Sequence, residues 1–167
     1  IPSGSQVIVQ RISGTTEPAS APGGGIHHGF TVYMVDTPLT EPSGTLKMIV
    51  SSGSLHASAS MKIQKGAWTH VCAQFNRVPG IHQVQLYRDG LYITGSDTTE
   101  IYDFGFAEST MTIGSGSNHI YSGTIGKKAS TVTFNEQFSG SLDEFRLWHA
   151  PRNTRGIDRE KWSNITP

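Results

Sequence analysis

Asp143 and Glu144 stand side by side in the stretch 138–148, Phe-Ser-Gly-Ser-Leu-Asp-Glu-Phe-Arg-Leu-Trp. Phe138, Gly140 and Leu142 occupy alternate positions there, and Phe145 and Leu147 then alternate in the opposite phase. A strand turns successive side chains to opposite faces, so this change of phase predicts a kink or bulge between residues 141 and 144. The kink leaves the two carboxylates beside irregular backbone, whose carbonyls are free to take a ligand. It also commits Phe145 and Leu147 to a buried face, and the stretch is expected to be a central strand. Two carboxylates that act as nucleophile and acid on one glycosidic bond must flank it, roughly 5–10 Å apart. Neighbours on a regular strand point to opposite faces, so Asp143 and Glu144 do not form such a pair. Asp97 and Glu100 lie in a turn-like run without apolar support. There is no nucleophile elbow, no P-loop and no Cys/His ligand cluster. The chain is expected not to be an enzyme.

Other reactive side chains have plainer readings. The adjacent pair His27-His28 could contact a metal, but two residues make a poor site, and a solvated or packed pair is the expectation. Cys72 is the single cysteine and lies in the apolar run Val71-Cys72-Ala73, which predicts a buried structural thiol and no internal disulfide. Four aromatic residues fall in loop-like contexts: Tyr102, Phe104, Phe106 and Tyr121. Rings of this kind can stack on a sugar or fill a partner's pocket, and one or two can instead cover their own loop. Asp103, Asn118 and His119 lie beside them and could supply polar contacts. Asn164-Ile165-Thr166 has the form of a glycosylation sequon.

The elements that must position these residues read as short strands. The chain has 167 residues, the size of one domain, and 19 glycines separate short alternating apolar runs. Runs at 6–12, 30–35, 46–50, 55–63, 68–75, 84–87, 91–93 and 110–114 are expected to be strands, with a further short one at 131–134. The 55–63 run alternates small and polar residues and suits a sheet edge or a wet face. Asp89-Gly90 between alternating runs predicts a tight hairpin. Pro151 and Asn153 lead into a short helix with Asn153 or Thr154 as its N-cap. Thirteen basic residues balance thirteen acidic ones, so no general attraction to nucleic acid or anionic membrane is implied. No apolar run approaches membrane-spanning length, and no signal peptide is visible. The chain starts at Ile1 without an initiator Met, which suggests a processed product or part of something longer.

Four of these stretches resemble a family in the expected order. Residues 68–73, Trp-Thr-His-Val-Cys-Ala, look like the "WHHVA" strand of laminin-G-like domains in the concanavalin A-like superfamily. Residues 84–91 look like their "lYvDGkl" hairpin, 111–114 like "ltIG", and 138–148 like "FxGxIDEvRiY". Residues 152–157 resemble the helical turn that closes the pattern. The resemblance implies an all-β jelly-roll sandwich of two antiparallel sheets over residues 1–167, with a short C-terminal helix. It also implies that Trp68 and Trp148 pack between the sheets. Glucan-cleaving members carry carboxylates spaced as "ExDxE", and this chain has no such spacing. Members often hold calcium near the Asp that matches Asp143, and calcium takes six to eight oxygen ligands. The alternative is that Asp143 hydrogen-bonds nearby backbone.

Two departures shape the expectations. The aromatic-rich strand with which members usually open has no counterpart ahead of residues 7–12. A strand from outside this segment, from a neighbouring domain or chain, is therefore expected to pair there and complete the sheet. Residues 115–137 also exceed the usual link between "ltIG" and "FxG". The resemblance points to a non-catalytic recognition or adhesion module that binds glycans on a cell or particle surface. Its ligand contacts would come from Tyr102, Asp103, Phe104, Phe106, Asn118, His119 and Tyr121, with calcium at Asp143. A structural or protein-interaction domain of a virion, fibre or extracellular assembly is the alternative. Either places the chain outside the cell, on a cell surface or on a virion, with a glycan or surface protein as partner and no insertion into a membrane.

Overall fold

The structure, a computed structural model, describes residues 4–13, 26–35, 40–52, 55–77, 83–96, 101, 109–122, 129–148 and 150–160. Eleven strands and one helix follow one another along it. They are β1 (Ser5–Ile12), β2 (Gly29–Val35), β3 (Ser43–Ser52), β4 (Leu55–Gln64), β5 (Val71–Phe75), β6 (Val84–Arg88) and β7 (Leu91–Gly95). Then come β8 (Thr112–Ile113), β9 (His119–Ser122), β10 (Ala129–Val132), β11 (Phe134–Gln137) and α1 (Thr154–Glu160). The architecture is an all-β jelly-roll sandwich. Its larger sheet has six strands in the order β11-β1-β2-β3-β4, with β8 also pairing β1. Its smaller sheet is β5-β6-β7, and β9 and β10 form a separate two-stranded sheet.

Alternation in β2, β3 and β4 decides what packs where. Val32, Leu46, Met48, Val50, Ala57, Ala59 and Met61 point to one face and meet Val84 and Leu86 of the smaller sheet, with Ile101 between. Intervening residues point to the opposite face, where the register sets Thr31 beside Ile49 and Ile49 beside Ser58. On that second face Val7, Gln10, Thr31, Tyr33, Ile49 and Ser51 are nevertheless buried. A third small cluster, Cys72, Tyr87 and Ile157, seats α1 on the outer face of the smaller sheet. Burial raises the Cys72 thiol pKa to about 11, against a smaller opposing effect of Arg152, as suits a structural thiol.

Local signals are found where the chain predicts them. Asp89 and Gly90 take positive φ of 51° and 84°, the conformation a two-residue hairpin loop requires. Asn153 Oδ1 accepts the Gly156 amide at 2.8 Å, so Asn153 is the N-cap of α1. Among the described residues β4 is an edge strand, paired only to β3.

Three expectations are corrected. Residues 138–148 form no strand: Leu142, Phe145, Leu147 and Trp148 are all exposed, Leu147 at 67%. The kink is present, since Glu144 has φ of 53°, and residues 138–148 pair with no strand among the described residues. Beside residues 5–10, where a strand from elsewhere was expected, β1 already has partners among the described residues: β2 on one side, and β11 at residues 5–7 and β8 at residues 9–10 on the other. The pairing of β1 with β11 is parallel, so the larger sheet is not purely antiparallel.

Leu86→Ala should destabilise the domain by about 2–5 kcal/mol in urea unfolding, because a fully buried side chain between two sheets leaves a cavity. Gly29→Ala should cost more than about 1 kcal/mol in the same measurement. Gly29 has φ of 137°, and a Cβ there would collide with the Arg11 carbonyl oxygen.

Candidate functional site

The β9–β10 hairpin carries three of the candidate residues and lies over the second face of the larger sheet. Its ladder runs from Ala129 opposite Ser122 to Val132 opposite His119. His119 projects into the sheet and is fully buried. Its Nδ1 lies 2.9 Å from Thr31 Oγ1 and its Nε2 lies 2.7 Å from Ser51 Oγ. The neighbouring bonds fix the direction of both. Ser51 donates its hydroxyl proton to the His27 carbonyl at 2.5 Å, so it must accept from His119 Nε2–H. Thr31 Oγ1 accepts from Gln10 Nε2 at 3.0 Å and therefore donates to His119 Nδ1. Gln10 is held in turn by the Ser117 backbone, whose oxygen accepts from Nε2 and whose amide donates to Oε1, both at 2.8 Å. The result is one directed chain of hydrogen bonds from Gln10 through Thr31, His119 and Ser51 to the backbone of residue 27.

Two further histidines border this chain. His27 Nδ1 accepts the Ile120 amide at 3.0 Å, and its own amide donates to the Ile120 carbonyl at 2.8 Å. Its ring lies 5.9 Å from that of His119. His56 packs its ring 4.9 Å from Tyr121, which in turn lies 6.3 Å from His119. Burial holds His119 neutral and pushes its pKa down to about 3, with His27 adding to the effect. Burial lowers His27 as well, helped by His28, and lowers His56, helped by Lys47.

His119, expected among ligand contacts, thus faces inward and touches only protein. Tyr121 is half-buried against His56 and His119. Asn118 is exposed, and its Oδ1 accepts the Phe134 amide at 3.0 Å, closing the base of the hairpin. Tyr102, Asp103, Phe104 and Phe106 lie outside the described residues. The preceding residue, Ile101, has its amide and carbonyl both bonded by the buried Gln83 side chain. Asp143 is exposed and accepts the Glu144 amide at 2.9 Å, while Glu144 pairs with Arg146 at 2.8 Å. Among the described residues no group of three or more His, Cys, Asp or Glu side chains could hold a metal ion. One Asp143 carboxylate oxygen is thus bonded to backbone and the neighbouring Glu144 is engaged by an arginine.

A residue not counted among the candidates stands out by its exposure. Trp68, expected in the core, is 75% exposed in the turn between β4 and β5. β5 begins only at Val71, so Trp68 precedes the ladder that would have turned it inward. Its turn is fixed on both sides. The Lys65 amide donates to the Pro42 carbonyl at 2.9 Å, and His70 and Asp89 exchange two bonds, at 2.9 and 3.1 Å. The second tie clips this turn to the β6–β7 hairpin, where Leu91 is 66% exposed. Gln64, Asp89 and Glu41 are exposed at the same end of the sandwich.

A laminin-G-type family model, described as the concanavalin A-like lectin/glucanases superfamily, matches residues 6–158. Comparison with curated proteins and with solved structures returns no match.

Thr31→Val should cost about 1–3 kcal/mol in chemical denaturation at pH 7.5, since it removes one hydroxyl that serves two buried partners. Loss of less than about 0.5 kcal/mol would mean that the chain is not a structural unit.

Proposed function

The chain belongs to the concanavalin A-like lectin/glucanases superfamily, and from that premise we propose that it is a non-catalytic recognition module that binds glycans at the Trp68 end of the sandwich. The supporting observation is the exposed indole on a turn held at both sides by backbone hydrogen bonds. An indole in water is costly to leave bare, and its face suits the C–H faces of a sugar ring. Exposed amide and carboxylate groups at the same end, from Gln64, Glu41 and Asp89, suit the hydroxyls. A ring presented on fixed backbone loses little entropy on binding. No helix among the described residues is long and apolar enough to cross a membrane. Exposure on a cell or particle surface is part of this proposal.

A second reading has its own observation. Leu91, Tyr92 and Ile93 of β7 are exposed on a strand paired only to β6 among the described residues. An apolar edge strand of this kind suits pairing with another protein in an extracellular or particle-surface assembly.

A glycan array probed with the intact protein should give hits that Trp68→Ala weakens by about tenfold, or ~1.4 kcal/mol. The substitution should leave stability within about 0.5 kcal/mol, because the side chain is mostly in water. Absence of any hit, or hits indifferent to Trp68→Ala, would discard the glycan site and favour the protein-binding edge.

A further inference from the structure

The β9–β10 hairpin differs from every other strand pair in how it is attached. Among the described residues its two strands pair with each other and with no strand of the two main sheets. What holds it down is the His119 chain, the reciprocal contact of residue 120 with His27, and the ring contacts of Tyr121. The surface beneath is mixed. Gln10, Thr31, Ser51, His56 and Ser58 lie along it and can be hydrated if uncovered, with the apolar Val7 and Ile49 and the ring of Tyr33 among them. The opposite face of the same sheet carries Val32, Met48 and Val50 and cannot be opened so cheaply.

We propose that this hairpin is an acid-released flap, locked at neutral pH by His27 and His119 and freed from the sheet when they take up protons. A second proton breaks the pattern of bonds at both rings. On His119 Nδ1 it would reverse the bond with Thr31, whose oxygen would then take two donors and whose own hydroxyl proton would lose its buried acceptor. His27 Nδ1 accepts a backbone amide, so a proton there would set two donors against each other.

The surroundings offer a cation no compensation. From β2 and the residues before it come His27, His28, Thr31 and Tyr33. β3 contributes Lys47 and Ser51, β4 contributes His56, and β9 contributes Tyr121. No carboxylate is bonded or ion-paired to His27, His56 or His119 among the described residues.

The sign follows from the two states. The released ring binds a proton with its ordinary pKa of 6.5, and the docked His119 only near 3. Docking is therefore at full strength above pH 6.5 and weakens as pH falls from 6.5 toward 3. For His119 alone the opening constant should rise about thirtyfold by pH 5. His27, lowered in the same direction, adds to it.

Amide hydrogen exchange on the native protein at pH 7.5 and pH 5.0, corrected for intrinsic rates, tests this. Protection at Ile120 should fall about thirtyfold or more while Met48 and Leu86 keep theirs. Equal loss at Leu86 would show global acid unfolding, and no change at Ile120 would show a pH-insensitive lock; either overturns the proposal. His27→Gln keeps an acceptor for the Ile120 amide and cannot titrate, so it should reduce the acid response at least threefold, as should His119→Asn. An undiminished response in both overturns the proposal. Ring-nitrogen NMR of the unmutated protein decides the matter even where a variant fails to fold. At pH 7.5 it should show neutral His119 protonated on Nε2, and a Nδ1–H tautomer or an imidazolium would refute the lock.

Discussion

His119 joins the hairpin layer to the larger sheet, and it does so with hydrogen bonds where most layers of a sandwich are joined by apolar contact. A buried imidazole left without partners would cost roughly 1–3 kcal/mol for each unmet nitrogen. Here both nitrogens are met, and each hydroxyl that meets them is met in turn. Such a chain tolerates no partial version. Because every member is fixed in direction, removal of one leaves at least one neighbour buried and unmatched. The arrangement of β9 and β10 over β1, β2 and β3 depends on this single side chain more than on any strand pairing.

The same sheet is thus buried on both faces under different rules. Toward the smaller sheet, Val, Leu, Met and Ala side chains interdigitate, and stability there scales with apolar area removed from water. Toward the hairpin, amide, hydroxyl and imidazole groups satisfy one another beside the buried Val7, Tyr33 and Ile49. A domain built this way can loosen one side without losing the other. The Trp68 end is tied by hydrogen bonds between the β4–β5 turn and the β6–β7 hairpin and presents an indole to solvent. On the hairpin side, Tyr121 is half-buried.

Much of the scaffold was legible in the residues. Alternation placed β2, β3, β4 and β6, and Asp89-Gly90 marked its hairpin because few residue pairs accept two positive φ angles. Asn153 announced the start of α1 through its capping oxygen. The four motifs carried the superfamily, and the family match over residues 6–158 agrees with them. The site was less legible. Residues 115–137 are rich in Gly, Ser, Thr and Lys, so β9, β10 and β11 lacked the apolar alternation by which a buried strand is read. His119 in such a run looks like any surface histidine, and only the sheet beneath supplies its two hydroxyls. Trp68 failed for the opposite reason, since its motif position implied burial and the ladder begins three residues later.

By itself, then, the sequence determined those properties that depend on neighbours along the chain: strand period, turn chemistry, helix cap and balanced charge. Tertiary structure alone decided which polar residues face each other across layers. Gln10, Thr31, Ser51 and His119 are up to 109 positions apart, counted from residue 10 to residue 119. No local rule links them, because a hydrogen bond between side chains needs atoms within about 3 Å, and only the packing of three layers brings them there.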